Sequence, residues 1–376
     1  MGSTTAIRDD VLRNLFDHGG PMCSVYLRLE PRPQLEDDAR LRWRALARRL
    51  SAQGADSATL DALARRVDAE LPGAGTLAAF AADGEILYAA VLPGDPDAGR
   101  PAGDSAVRGA LPHLQPLLAW RQDHPAHVLA VIDRSGADLE AYPLGGTEPI
   151  RRTVEGPDDE IERNAPGGMS QARFQRRAED SWEHNAVRVA DALTDTVSGV
   201  SARVVLLAGD VRAQQYLTKH LPERVRREVS LRRISGGRAP DGSGRSRDAQ
   251  VEEETRLAAE ELTVGLLRRF AEERAPGGRA VEGVQPTLRA LSEGRVDTLV
   301  VTDDPEDRRS AWFGSSPAEL SDRRPAPAPA GRAMARARLA DAAIRTAVLT
   351  GSDVRVLPAG AEGAPSHGIG ALCRST

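Results

Sequence analysis

Apolar residues recur along the chain in two alternating periods, adjacent or every second residue in some stretches and three to four apart in others. That is the pattern of interleaved strands and helices. Ser24-Val25-Tyr26-Leu27-Arg28-Leu29, stopped by Pro31, predicts a strand. Leu41–Leu50 and Leu60–Leu71 carry helix-spaced apolar positions among arginines. Leu77–Phe80 and Ile86–Leu92 predict a hairpin across Ala82-Asp83-Gly84-Glu85. The Pro/Gly/Asp-rich stretch Pro93–Asp104 predicts a loop and places a first boundary near residue 122.

A second module opens with the buried-strand run His127–Asp133, a turn at Arg134-Ser135-Gly136 and a strand at Asp138–Tyr142. An irregular loop is expected up to Met169, then an amphipathic helix from Ser170 to Leu193. Its stripe is Phe174, Ala178, Trp182, Ala186, Val189 and Leu193. The strand Ala202–Gly209 follows, which gives a sheet covered by helices. The third module follows the helix Val251–Glu273. Here the pattern predicts a helix over Ala280–Leu291 ended by Gly294, a strand over Val296–Val301 and a polyproline-like insertion over Arg323–Ala330. A helix over Leu339–Leu349 and strands over Val354–Leu357 and Ile369–Cys373 close the chain. The expected fold class is α/β (α+β), as three mixed-sheet domains over 1–122, 123–275 and 276–376.

Length and composition bound the function. A chain of 376 residues accommodates two to three domains. With 40% hydrophobic and 28% charged residues and no long apolar run, no membrane span is expected. Met1–Asp10 has neither a basic start nor an apolar stretch, so a cytoplasmic location is expected. Cys23 and Cys373 form no cluster and the seven histidines are scattered, so no disulfide framework, metal or cofactor is expected. The sequence has no P-loop, no dinucleotide fingerprint and no nucleophile elbow, which argues against a metabolic α/β enzyme.

The net charge of −5 argues against a protein that coats nucleic acid through overall charge. Locally the picture differs. Lys219 is the single lysine, and arginine grips phosphate bidentately where lysine is a point charge. Glu223–Arg247 holds eight arginines against Glu223, Glu228 and Asp241, a local +5, and ends Gly-rich. A mobile arginine loop is expected there, with Arg238 and Arg245 either solvated or in contact with phosphate.

The most informative stretch is Ala165-Pro166-Gly167-Gly168-Met169-Ser170-Gln171-Ala172-Arg173-Phe174-Gln175-Arg176-Arg177-Ala178-Glu179. It resembles the middle domain of archaeo-eukaryotic class-one peptide-chain release factors, where a Gly-Gly-Gln loop runs into a helix beginning Ser-x-x-Arg-Phe-x-Arg. The resemblance rests on Gly167, Gly168, Ser170, Arg173, Phe174 and Arg176. Val281–Asp303 resembles the start of the third domain of those factors and of Pelota, and His367–Arg374 their closing Gly-Ile-x-Ala-x-x-Arg strand. It covers residues 125–376 and points to a bacterial branch, with Balon-like ribosome hibernation factors nearest in function.

The resemblance implies an L7Ae-like third domain and a ribosome-binding translation factor. It occupies the A site of the 70S ribosome against rRNA and, in some states, P-site tRNA, with a translational GTPase such as elongation factor Tu on the third domain. RNA contact would fall to Gly167, Gly168, Met169, Ser170, Arg173, Arg176, Arg177, Arg238 and Arg245. Without the family, the same arginines read as a solvated helix face with pairs such as Arg176 and Asp180.

Catalysis is where the chain departs from the family. Peptidyl-tRNA hydrolysis needs a positioned water and a donor for the oxyanion, with glycines allowing close backbone approach. The family's glutamine is here Met169, whose thioether donates no hydrogen bond. No catalytic residue is therefore expected. The alternatives are a peptidyl-tRNA hydrolase working through Gly167, Gly168, Met169 and Gln171, or a tRNA-cleaving rescue nuclease. The family's stop-codon motifs, Asn-Ile-Lys-Ser and Tyr-x-Cys-x-x-x-Phe, are absent from the first module.

Overall fold

The first predicted strand runs from Met22 to Leu29 (β1) in the computed structural model and is buried on both faces. The structure describes residues 9–30, 36–71, 73–93, 103–155, 171–238, 244–324 and 334–375; side chains of 171–182 and 244–245 lie outside that description. Successive β1 side chains separate into two cores, as the two-residue period of a strand requires. Cys23, Val25, Leu27 and Leu29 pack with helices α2 (Glu36–Ala52) and α3 (Ser57–Glu70). Met22 and Tyr26 join the opposite core, with α1 (Asp9–Asp17).

Strands β2 (Gly75–Ala82), β3 (Glu85–Leu92) and β4 (Ser105–Gly109) complete an antiparallel sheet in the order β3-β2-β1-β4. The predicted β2–β3 turn is confirmed. Asp83 and Gly84 both have positive φ, 51° and 81°, the backbone a two-residue hairpin turn demands. Strand β4 was not readable, having only five residues with Ala106 buried. Helix α4 (Gln115–Asp123) follows it.

The contacts fall into two compact units: residues 1–122 together with 263–376, and residues 123–262. The first and last segments of the chain share one core, in which Leu12, Tyr26, Phe80 and Leu114 meet Leu288, Leu299, Ile344 and Ile369. Polar ties cross the same junction. The Gln122 side-chain amide pairs with the Val356 backbone like a strand partner, donating to its carbonyl at 2.7 Å and accepting from its N–H at 2.9 Å. Buried His113 meets buried Asp341 at 3.1 Å.

In residues 123–262, β5 (His127–Ile132), β6 (Gly136–Tyr142), β7 (Ile150–Glu155), β8 (Val204–Gly209) and β9 (Ser230–Arg233) form one mixed sheet, ordered β7-β6-β5-β8-β9. Strands β5, β8 and β9 run parallel, while β6 and β7 are antiparallel additions. One face is covered by α5 (Gln171–Val200), α6 (Val211–His220) and α7 (Glu223–Glu228), through Val189, Leu193, Leu217 and Val225. The other face meets α8 (Gly244–Glu272) through Leu129, Leu206, Ile234 and Ala258. Strand β7 lies within the stretch expected to be irregular; five of its six residues are exposed, so its pattern carries no apolar signal.

Of the arginine-rich stretch, Glu223–Glu228 and Ser230–Arg233 are regular as α7 and β9, whereas residues 239–243 of its expected mobile, Gly-rich end lie outside the described residues. Arg232 donates to Glu254 at 2.8 Å and to Glu261 at 2.5 Å, so two α8 carboxylates take up the charge of β9. Ala280–Leu291 is corrected: it is strand β10 (Ala280–Glu282) followed by helix α9 (Val284–Ser292). Gly283 between them has φ 85°. Strands β10, β11 (Val296–Asp303), β15 (Asp353–Pro358) and β16 (Ile369–Cys373) build a sheet ordered β10-β16-β11-β15. A smaller sheet of β12 (Ser310–Phe313), β13 (Leu320–Ser321) and β14 (Ala335–Arg338) precedes α10 (Leu339–Leu349), whose bounds match the sequence reading. Within the expected polyproline-like insertion, residues 325–330 lie outside the described residues.

Candidate nucleic-acid interface

Helix α5 organises the candidate site because it begins immediately after the Gly167-Gly168-Met169-Ser170 segment, which lies outside the described residues. Gln171 is the first helical residue, and Arg173, Arg176 and Arg177 fall in the first two turns. The backbone N–H groups of such a start have no intrahelical partner, so it favours an anion. Phe174 and Trp182 belong to the side chains outside the description. The described half of the predicted stripe is core, with Ala186, Val189 and Leu193 buried.

The sequence pins α5 just beyond those first turns. Glu183 accepts from Lys219 Nζ at 2.8 Å and meets His220 Nε2 at 3.2 Å, both on α6. The hydrogen bond from the Lys219 ammonium, first, and then the contact with His220 hold its carboxyl below the ordinary carboxylate range. Two residues on, buried Asn185 donates to the Arg134 carbonyl at 3.0 Å in the β5–β6 turn. The helix is thus fixed against α6 and the hairpin from Glu183 onward.

Arg238 is clamped. It donates from Nε to Asp138 Oδ2 at 2.9 Å, from Nη2 to Asp138 Oδ1 at 3.1 Å and from Nη1 to Asp133 Oδ1 at 3.0 Å. Asp133 Oδ1 also accepts from the Ser135 and Gly136 N–H groups, closing the hairpin turn. The Arg238 hydrogen bonds hold the Asp138 carboxyl below its ordinary value and raise Arg238, while at Asp133 burial is outweighed by the Ser135 and then the Arg238 hydrogen bonds, which lower that carboxyl too. Every guanidinium nitrogen of Arg238 is therefore engaged inside the unit.

Other cations of the +5 stretch are similarly compensated. Arg224 reaches Glu228 at 3.4 Å, Arg227 pairs with Glu223, and Arg247 donates to the Gly237 carbonyl at 3.3 Å. Arg226 and Arg233 are exposed and have no acidic partner among the described residues. The Arg245 side chain lies outside the description. Sequence reasoning missed β9 and the α8 carboxylates that neutralise Arg232. The signal was present in the apolar Leu231 and Ile234 flanking the arginine pair.

Among the described residues no His/Cys/Asp/Glu group could hold a metal ion. The crevice at the carboxyl ends of β5 and β8, lined by Asp133, Asn185, Ala186 and Ala213, has about 10 Å³, room for about one water.

Residues 126–276 match the family model of bacterial archaeo-eukaryotic release factor family 2. Over that stretch the chain is similar to the bacterial archaeo-eukaryotic release factors. Two uncharacterized proteins of Mycobacterium tuberculosis, Rv2629 of strain H37Rv and MT2704 of strain CDC 1551, are 28% identical over 302 residues, covering 78% of this chain and 78% of each. Among solved structures, the archaeal termination factor aRF1 is similar at 15% identity and TM-score 0.26, over 97% of this chain and 96% of that one. Ribosome-bound archaeal Pelota follows at 12% and 0.40 over 99% and 95%, and Saccharomyces cerevisiae Dom34 at 9% and 0.37 over 81% and 74%. Superpositions this loose fix no residue correspondence. The matched stretch contains the Gly167-Gly168-Met169 segment, all of α5 and the Arg238 clamp. No helix among the described residues is long and apolar enough to cross a membrane.

Proposed function

We propose that this chain is a non-catalytic ribosome-binding factor that occupies the A site, with the 167–170 loop toward the peptidyl-transferase centre. The observation that carries the reading is Met169 after the glycine pair, together with the start of α5 two residues later at Gln171. A glutamine in the first turn of a helix is committed to that helix. For Gln171 to supply the amide that Met169 lacks, the start of α5 would have to unwind. What the loop retains is glycine backbone able to approach RNA closely and, just beyond it, a helix start bearing Arg173, Arg176 and Arg177.

Charge compensation elsewhere supports giving RNA contact to those three arginines ahead of Arg238. In the same reading, rRNA and P-site tRNA are the RNA partners, residues 276–376 offer a surface to a translational GTPase such as elongation factor Tu, and the setting is hibernation or a stalled ribosome in the cytoplasm. The test is co-sedimentation with vacant 70S ribosomes, with peptide release from loaded P-site tRNA measured alongside. Binding without release supports the proposal. Release at rates above the ribosome alone reassigns the chain as a peptidyl-tRNA hydrolase, and cleavage of the tRNA as a nuclease.

A further inference from the structure

Far along the chain from the glycine loop, three arginines line an open pocket of about 290 Å³. They come from different segments: Arg269 from the last turns of α8, Arg279 from just before β10, and Arg374 from just after β16. Two are held in place by the fold. Arg279 donates from Nε to Glu273 Oε1 at 3.1 Å and from Nη2 to the same oxygen at 2.5 Å. Arg374 donates from Nη2 to the Thr350 carbonyl at 3.0 Å and to the Gly351 carbonyl at 3.3 Å, at the end of α10.

Those bonds leave Nη1 of Arg279, and Nε and Nη1 of Arg374, without a partner among the described residues. Arg269 is freer still: Asp297 stands at 3.8 Å, beyond hydrogen-bond reach, and Glu273, whose charge it also feels, is hydrogen-bonded to Arg279. Asp297 is the one carboxylate in the wall and Glu273 answers Arg279 from behind it, so the three guanidinia are opposed by two carboxylates and a net positive charge remains. The neighbouring Cys373 thiol is pushed up by burial, so it remains protonated and adds no competing anion.

The wall also says what the ligand is not. Leu372 is its one large apolar side chain, and no aromatic ring is present to stack a base or hold an apolar body. Pre-set guanidinium edges without apolar lining suit a ligand that is mostly oxyanion, and phosphate is the oxyanion that planar guanidinia bind best. We propose that this pocket is a phosphate-binding site, filled by a free polyphosphate group or by the phosphodiester backbone of RNA. It stands independently of the A-site reading, because nothing in its argument uses the release-factor loop.

The test is calorimetric titration of the full chain, without ribosomes, with tripolyphosphate and with a short RNA oligonucleotide at near-physiological salt. Saturable binding of at least one is expected. Arg269→Gln, at a half-exposed side chain that no hydrogen bond secures, should weaken it at least about fivefold, the loss of one charge-assisted contact. Asp297→Asn should tighten it, while Arg289→Gln, an exposed arginine on α9 paired with Glu293, should leave it unchanged. RNA that displaces tripolyphosphate identifies the backbone as the ligand; tripolyphosphate binding without RNA binding identifies a free phosphate compound. Absence of binding by both ligands overturns the proposal, and so does equal weakening by Arg269→Gln and Arg289→Gln.

Discussion

Arg238 clasps Asp138 with two parallel bonds, Nε to Oδ2 at 2.9 Å and Nη2 to Oδ1 at 3.1 Å. This ties the segment after β9 to the β5–β6 hairpin. Arg238→Ala is expected to destabilise residues 123–262 by about 1 kcal/mol, a value discounted because the two carboxylates are more than one-third exposed. The effect depends on pH. Folding lowers both carboxyls, so their stabilisation is complete above the unfolded value of about 3.9 and is lost as pH falls through the folded values. Urea midpoints between pH 6 and pH 3 should therefore fall less steeply in Arg238→Ala than in the wild type.

Replacing Met169 with glutamine restores the amide that the family uses. If the protein acts by binding, Met169→Gln should leave co-sedimentation with ribosomes unchanged and produce no peptide release. A gain in release would show that the rest of a hydrolytic site is already in place.

Arg173, Arg176 and Arg177 are the residues proposed to contact RNA phosphates. Each phosphate contact contributes about 0.7–0.9 to the slope of log affinity against log salt. The triple alanine variant should bind ribosomes more weakly and flatten that slope by about 2 to 3. Arg238→Ala should leave the slope alone, since that guanidinium is already paired with Asp133 and Asp138.

Gln122→Ala removes both bonds to Val356 and leaves a buried backbone N–H and C=O unpaired. The cost expected is about 1–3 kcal/mol. It should appear as a lower melting temperature with ribosome binding intact when measured well below the transition.

Local chemistry was legible in the sequence and long-range pairing was not. The hairpin at Asp83-Gly84 and the bounds of α10 follow from a turn dipeptide and an apolar period. The mixed sheets themselves follow from alternating strand and helix signals. Strand β7 escaped because its residues face water, and β9 because its identity rests on a parallel pairing of Leu231 with Val205, 26 positions away. The paired state of Arg232 and Arg238 was equally hidden, since their carboxylates come from α8 and from the β5–β6 hairpin. A local charge of +5 counts cations without saying which are already answered. The glycine pair is marked in the sequence by its motif and lies outside the described residues, whereas the anchoring of α5 depends on Glu183 and Asn185, which no motif marks.

The central proposal is that this chain, similar over residues 126–276 to bacterial release-factor relatives but with Met169 after its glycine pair, binds ribosomes without hydrolysing peptidyl-tRNA. The most direct measurement pellets the purified protein with vacant 70S ribosomes and, in parallel, follows release of labelled peptide from a loaded P site. The account predicts stoichiometric co-sedimentation and release no faster than from ribosomes alone. Failure to pellet, or release that depends on this protein, would contradict it.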